Sequence, residues 1–114
     1  MINTARIQEL KEEVGEDDLF EVIELFCDEV EDVLQSLEST PQNEMAAQLH
    51  FLKGSALNIG LDGVSELCRA EEVRLKDNPS AAPDVAGIRA AYTTSKAALL
   101  KPGTHRLQSR LLSG

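Results

Sequence analysis

One short stretch of the sequence contains residue types that can do chemistry. His50 is followed three and four residues later by Lys53 and Gly54. Residues at these spacings share one face of a helix, so an imidazole, an ammonium group and a position without a side chain would lie together. Neutral imidazole is a usable nucleophile near neutral pH, and a neighbouring cation stabilises an anion on the ring. This combination suits phosphoryl transfer, which depends chiefly on positioning and charge neutralisation.

The pattern around His50 predicts that its side chain faces solvent. Apolar residues recur at spacings of four and three, at Met45, Leu49, Leu52, Ala56 and Ile59. At about 100° per residue they cluster around one direction, and His50 points roughly 140° away from it. The outward arc also holds Ala46, Ala47, Lys53, Gly54 and Leu57. Because glycine inside a helix costs about 1 kcal/mol relative to alanine, Gly54 suggests a need for close approach by a partner.

Two helices are predicted before this one. The first covers about residues 4–14, with Asn3 or Thr4 as its cap and Gly15 as its stop. The second opens at Asp17 and Asp18, where acids suit the positive end of the helix dipole. Its apolar seam keeps spacings of four and three over about five turns, which is typical of a helix in a bundle. The seam consists of Leu19, Ile23, Phe26, Val30, Val33 and Leu37, and a side stripe of Phe20, Cys27 and Leu34 widens it.

The third helix, which carries His50, is predicted to start with Thr40 as cap and Pro41 as first residue, and to end at Gly60. A fourth is predicted to be capped by Asp62 and to end at 78–79. Its apolar positions are Leu61, Val64, Leu67, Cys68 and Leu75. After a loop to residue 84, a last helix aligns Val85, Ile88, Tyr92, Ser95 and Leu99 and stops at Pro102 and Gly103. No strand pattern competes with this all-α interpretation.

Length and charge restrict the classes of function. A chain of 114 residues suits one domain, and 42% hydrophobic with only 4% aromatic residues predicts an aliphatic core. The net charge of -9 argues against nucleic acid and anionic membrane surfaces as partners. Residues 9–38 hold 13 acids and one lysine, whereas five basic residues and no acid follow from residue 85 onward. With neither a signal peptide at the start nor an apolar run of about 20 residues, we expect a cytoplasmic protein.

Two other kinds of site have weak support. Cys27 and Cys68 fall within helical apolar patterns and form no Cys-x-x-Cys pair, so core packing is favoured over a redox pair. A metal-binding bundle needs inward-facing Glu-x-x-His ligands, and neither His50 nor His105 has that spacing. We expect no metal or cofactor in this chain, and we assign His105 no role.

The residues around His50 resemble the signature of the histidine phosphotransfer (HPt) domain family. The signature H-x-L-K-G-S-A-x-N-x-G followed by L-C-x-x-x-E is matched by His50, Leu52, Lys53, Gly54, Ser55, Ala56, Asn58, Ile59 and Gly60, and then by Leu67, Cys68 and Glu72. The resemblance covers roughly residues 17–100. It implies an antiparallel up-down four-helix bundle, here with a short additional N-terminal helix. The domain would occupy residues 1–103, with the bundle at about 17–101 and a tail at 104–114.

The resemblance also implies a function. His50 would accept a phosphoryl group on Nε2 from a receiver-domain aspartate and pass it to another receiver. Lys53 would interact with the phosphate, and Glu72 would hydrogen-bond Nδ1 and orient the ring. Ala46, Ala47, Gly54 and Leu57 would contact the partner, and the receiver would bring the Mg²⁺. The expected partners are response-regulator receivers and a hybrid sensor kinase, and the chain is expected to be a monomeric phosphoryl carrier and not an enzyme.

The sequence departs from the family pattern at three positions. Glu71 occupies a place where the family usually has leucine, which predicts less burial of the fourth helix there or a slight rotation. Leu57 and Leu61 replace residues that are usually small. An exposed Leu57 would enlarge the apolar docking surface beside Gly54 and thereby influence the choice of partner.

Three alternatives remain open. A sensor-kinase dimerisation helix also displays a histidine, but there an acid follows directly, whereas here Phe51 does. The chain has no glycine-rich nucleotide loop, so it is not expected to phosphorylate itself. A separate kinase domain that phosphorylates His50 directly is a variant of the relay. A purely structural helical adaptor is also compatible with the periodicity.

Overall fold

Helices are the only regular secondary structure in the described part of the chain. The computed structural model describes residues 2–100, and the predicted tail at 104–114 lies outside them. Five α-helices and one 3₁₀ turn, without strands, make up the described part. They are α1 (Thr4–Val14), α2 (Glu16–Leu37), a 3₁₀ turn (Gln42–Glu44), α3 (Met45–Asn58), α4 (Asp62–Asp77) and α5 (Val85–Leu99). The all-helical prediction is confirmed.

The N-terminal helix is attached to the turn between α3 and α4. The Asn3 side chain caps α1 by accepting from the Arg6 amide at 3.1 Å, and the Asn3 amide donates to the Gly60 carbonyl at 2.7 Å. Gly60 has φ of +73°, and a Cβ there would lie 2.8 Å from the Asn3 carbonyl oxygen. Only glycine fits this turn without strain. α1 therefore fixes the end of the helix that carries His50.

Four helices form a ring around the core. α3 packs against α2 and α4, and α5 packs against α4 and α2, while α1 lies against α2. The predicted core positions of α3 are all buried, so its orientation was predicted correctly. The edge formed by α3 and α4 thus lies across the bundle from the edge formed by α2 and α5.

Several predicted boundaries and faces are wrong by a turn or less. α3 begins at Met45 and not at Pro41, because residues 42–44 form the 3₁₀ turn. The Thr40 hydroxyl donates to the Ser36 carbonyl and so closes α2 instead of capping α3. Asp62 is the first residue of α4, preceded by Leu61 as cap, and its carboxylate accepts from the Asn3 side chain at 3.1 Å.

Two predicted core assignments also need correction. Leu67 is 40% exposed, and Phe26 is only partly buried. On α2 the side stripe supplies Cys27 and Leu34 to the core, which rotates the buried face slightly from the predicted seam. A spacing of four and three residues fits two adjacent stripes on one helix almost equally well, so the packing partners decide between them.

Glu71 is buried, contrary to the expectation that α4 would bury less there. The residue is 8% exposed, and its Oε1 accepts from the backbone amide of Asp84 at 2.8 Å. The Arg74 guanidinium also donates to this oxygen. A buried carboxylate is tolerated when it is paired and hydrogen-bonded. Glu71 thereby ties α4 to the residue that caps α5, a role that leucine could not perform.

Candidate functional site

His50 lies on the outer surface of α3. Its side chain is 71% exposed, whereas the neighbouring seam residues Leu49 and Leu52 are completely buried. The buried neighbours fix the helix against the core, so the imidazole is presented from a rigid element. The structure therefore places the predicted nucleophile where another macromolecule can reach it.

Glu72 on α4 contacts the imidazole. Its Oε1 lies 3.1 Å from His50 Nδ1, and its side chain is 21% exposed. A carboxylate accepts hydrogen bonds, so this contact favours the tautomer in which Nδ1 carries the proton and Nε2 has a free lone pair. The contact joins α3 to α4 across 22 residues of sequence.

Lys53 approaches the other oxygen of the same carboxylate. Its Nζ lies 2.8 Å from Glu72 Oε2, which is an ion-pair distance, although the approach is outside hydrogen-bond angles. The lysine side chain is 24% exposed, so the pair is only partly screened by solvent. Glu72 thus bridges the imidazole and the ammonium, an arrangement that spacing along α3 alone could not reveal.

Gly54 opens the surface beside the histidine. A Cβ built at this position would have no heavy atom within 4 Å apart from the nearby backbone of its own helix. Close packing of helices therefore does not explain this glycine. The remaining predicted contact residues, Ala46, Ala47 and Leu57, are all exposed, and Leu57 keeps 48% of its surface accessible. Of the residues predicted on the outward arc, Lys53 alone is partly buried, and the others are exposed.

The sequence interpretation missed one apolar residue of this region. Phe51 follows His50 and is 49% exposed. A single exposed apolar side chain is common on a protein surface, so exposure alone does not give Phe51 a role. The signal was available, because Phe51 lies outside the seam defined by Leu49 and Leu52.

Both cysteines are buried free thiols. Cys68 lies one turn before Glu72, and burial, with a smaller contribution from the Glu72 carboxylate, raises the pKa of its thiol to about 12. Burial likewise raises the pKa of Cys27. Protonated, inaccessible thiols are poor nucleophiles, so both residues serve packing. Within residues 2–100, no group of three or more His, Cys, Asp or Glu side chains is arranged to hold a metal ion.

A second cluster of ionisable residues joins α2 to α5 and was not predicted. Glu31 Oε2 accepts from the Tyr92 hydroxyl and from Lys96 Nζ, each at 2.6 Å. The hydrogen bond from Lys96, reinforced by that from Tyr92, lowers the pKa of Glu31, and the same bond raises the pKa of Lys96. Burial and the Glu31 carboxylate raise the pKa of Tyr92.

Comparison with known proteins identifies the family. The family model of the Hpt domain matches residues 21–98, which is more than half of the chain and includes His50, Lys53, Gly54 and Glu72. Searches of curated proteins and of solved structures found no match. None of the helices within residues 2–100 is long and apolar enough to cross a membrane. The chain therefore belongs to the Hpt domain family, whose members are histidine phosphocarriers of two-component signalling rather than enzymes.

Proposed function

We propose that this chain is the phosphotransfer protein of a two-component phosphorelay in which His50 accepts a phosphoryl group from a receiver aspartate and passes it to a second receiver. The observation that carries the proposal is the contact between His50 Nδ1 and Glu72 on an otherwise exposed ring. Because Nδ1 faces the carboxylate, Nε2 is the nitrogen available for attack. The match to the Hpt domain over residues 21–98 supports the same assignment.

The transfer step is a displacement at phosphorus. The lone pair of Nε2 forms a bond to the phosphorus of the receiver's aspartyl phosphate while the bond to the aspartate oxygen breaks, and the aspartate leaves as a carboxylate. The Nδ1 proton stays on the ring, where Glu72 stabilises the positive charge that develops. The second transfer is the same step in reverse, with another aspartate as acceptor. No proton has to leave the ring in either direction.

Lys53 and Glu72 act on this step in different ways. Glu72 is a positioning residue, because it fixes the ring through Nδ1 and holds the Lys53 ammonium beside the ring. Lys53 contacts the phosphate, since the oxygens that arrive on Nε2 compete with Glu72 Oε2 for its cation. The ion pair with Glu72 partly neutralises Lys53 until a phosphoryl group is present. The ammonium group then interacts with the oxygens of the transferred group.

The partner surface follows from the exposed residues around His50. Gly54 leaves space for the rim of the receiver's active site, and the small side chains of Ala46 and Ala47 let the receiver come close to the helix. Leu57 supplies an apolar contact. The receiver contributes the Mg²⁺ and the acidic pocket. The chain then needs neither a cofactor nor an ATP-binding domain of its own. It works as a monomer in the cytoplasm. It binds neither nucleic acid nor membrane. Residues 1–103 form the domain, with α2 to α5 as an up-down antiparallel bundle.

The test is phosphoryl transfer from a phosphorylated receiver. Purified chain incubated with a panel of phosphorylated receivers from its own organism should acquire a phosphate that is labile in acid and stable in base. His50→Gln should abolish labelling while circular dichroism shows an unchanged helical content. The matched control, His105→Gln, should be labelled like the unaltered chain.

Two outcomes would contradict the proposal. The first is a chain that no receiver labels, and the second is label retained by His50→Gln and lost by His105→Gln. The same variant separates the relay from a helical adaptor, because an adaptor keeps its binding function when His50 is replaced.

A further inference from the structure

A small cleft lies between α3 and α4, next to the site of His50. Its walls come from the 3₁₀ turn, the start of α3, the end of α4 and the loop that follows α4. It is lined by Gln42, Asn43, Ala46, Leu75 and Pro79. The cavity volume is about 350 Å³, near the lower end of the roughly 300–1,000 Å³ that is typical of sites for whole small molecules. A space of this size suits a single side chain of a partner.

The cleft extends the partner surface around His50 by one helical turn. Ala46 precedes His50 by four residues on α3, and Leu75 follows Glu72 by three residues on α4. Residues at these spacings share one side of a helix, so the cleft lies beside the contact between His50 and Glu72. One turn is about 5.4 Å long. A receiver whose interface buries about 800 Å² on each partner and is centred on His50 therefore covers the cleft.

The chemistry of the lining selects an apolar occupant. Leu75 is only 6% exposed and belongs to the hydrophobic core, so its position in the wall is fixed by packing. Ala46 and Pro79 are exposed, so the cleft is open to a partner. An apolar side chain that enters it removes apolar surface of both partners from water, which is favourable. None of the five lining residues is charged, so a charged side chain would lose hydration there without gaining an ion pair.

Gln42 holds the two sides of the cleft together. Its side-chain amide donates to the carbonyl of Pro79 at 2.9 Å and to that of Ala81 at 2.8 Å. These bonds tie the turn before α3 to the loop after α4. The cleft is thus formed before a partner arrives, and a preformed site avoids the cost of ordering its walls on binding.

We propose that this cleft receives one apolar side chain of the receiver that docks on His50, and that it contributes to the choice of receiver. This rests on the proposed function, since the occupant is the receiver that exchanges phosphate with His50. The cleft acts on binding and not on the reaction, because His50, Lys53 and Glu72 are not part of its lining. A receiver with an apolar residue at the matching position binds more tightly than one with a charged residue there.

The test fills the cleft without altering the reacting groups. Asn43→Phe places a bulky ring in the lining, so the receiver concentration that gives half-maximal transfer should rise about tenfold or more, the scale of one buried apolar side chain. The maximal single-turnover rate should stay unchanged, because the groups that act on the phosphate are intact. Ser39→Phe is the matched control. It adds the same ring at an exposed position outside the cleft, and both values should equal those of the unaltered chain.

An NMR titration of the unaltered chain tests the same contact without a substitution, and it decides the question if circular dichroism shows that Asn43→Phe does not fold. Adding a receiver that phosphorylates His50 should shift the amide signals of Asn43 and Ser80. These residues flank the cleft, and they lie seven residues before His50 and eight after Glu72. Shifts there report on the cleft and not only on the surroundings of the imidazole.

Other results would overturn the assignment of the cleft. If Asn43→Phe is saturated by the same receiver concentration as the unaltered chain, or if a receiver that phosphorylates His50 leaves Asn43 and Ser80 unshifted, the cleft lies outside the interface and the proposed function still stands. If no receiver labels the unaltered chain, the proposed function fails and the occupant is lost with it. Signals that shift with the concentration of the chain alone, together with a dimer in sedimentation, would assign the cleft to a second copy.

Discussion

Two carboxylates on opposite edges of the bundle each hold a ring and an ammonium group. Glu72 lies between His50 and Lys53 at the edge of α3 and α4, and Glu31 contacts Tyr92 and Lys96 at the edge of α2 and α5. The two clusters contain the same kinds of group at similar distances. They differ in what each leaves open to solvent.

At the α2 and α5 edge, the ring is part of the core. Tyr92 is 4% exposed, and its hydroxyl, besides donating to Glu31, lies 3.3 Å from the Cys27 carbonyl oxygen. The hydroxyl, the only polar group of this side chain, is therefore hydrogen-bonded within the protein. At the α3 and α4 edge, the carboxylate engages one nitrogen of an exposed ring and leaves the other free. An open lone pair on an accessible ring, and not the carboxylate with its cation, therefore distinguishes a reactive cluster from one that only holds two helices together.

The largest expected effect after loss of His50 itself comes from filling the space at Gly54. Gly54→Gln should slow phosphoryl transfer roughly a hundredfold, because a displacement of about 1 Å between reacting groups is sufficient for that loss. Single-turnover transfer from a phosphorylated receiver measures it. Gly54→Ala is the matched control: it should transfer at nearly the normal rate, and its helix should gain about 0.5–1 kcal/mol in stability. Normal transfer by Gly54→Gln would show that partners do not approach along this face.

Removing the tyrosine hydroxyl should affect stability and leave transfer unchanged. Tyr92→Phe removes a hydrogen bond to a charged group, so the free energy of unfolding should fall by about 2 kcal/mol. Urea denaturation followed by circular dichroism measures this change. Thr93→Ala, which removes an exposed hydroxyl bonded within α5, serves as control and should cost less. A transfer rate that fell in parallel with stability would contradict the division between the two edges.

Removing the Glu72 carboxylate at the α3 and α4 edge should slow transfer and have little effect on stability. Glu72→Ala should slow transfer about tenfold, which corresponds to about 1.4 kcal/mol, the scale of one hydrogen bond that orients the ring. Glu72→Gln should recover part of the rate, because an amide oxygen still accepts from Nδ1. An unchanged transfer rate in Glu72→Ala would leave Glu72 a purely structural residue.

The sequence was informative where a property belongs to one helix. The seam of α3 predicted which residues are buried and that His50 faces outward, and both follow from helical geometry alone. The start of α3 was placed too early, because Pro41 is compatible with the first turn of a helix and also with the extended segment before the 3₁₀ turn. Leu67 was assigned to the core because the apolar spacing of α4 allows two faces.

Properties that depend on two helices were inaccessible to spacing. The contact of Glu72 with His50 was expected only from the family resemblance, and its ion pair with Lys53 was not expected at all. Glu31 belonged to a stretch of acids interpreted as a solvated face, and Tyr92 was predicted only as a core residue. Glu71 was expected to disturb packing, whereas a backbone amide at the start of α5 satisfies its carboxylate. Each of these depends on which side chain of a neighbouring helix lies opposite, and the spacing of residues along one helix does not reveal that.

The smallest expected effect is the contribution of Glu31 to stability as the pH changes. Lys96 and Tyr92 hold the pKa of Glu31 below its ordinary value in the folded chain. The ionised carboxylate therefore favours folding, and this contribution is fully present above the unfolded pKa of about 4.3 and is lost as the pH falls through the folded pKa. The difference in free energy of unfolding between the unaltered chain and Glu31→Gln should thus stay constant above about pH 4.3 and shrink as the pH falls further.

Glu66→Gln provides the control for this titration. Glu66 also has a lowered pKa, because Arg69 donates to it one turn away, but the pair is fully exposed on α4. Exposed pairs contribute little and are screened by salt, so its difference should be smaller and should vanish in high salt. A difference for Glu31→Gln that stays constant with pH would mean that the Glu31 carboxylate titrates alike in the folded and unfolded chain. The α2 and α5 edge would then be held by Tyr92 and apolar packing without an ionic contribution.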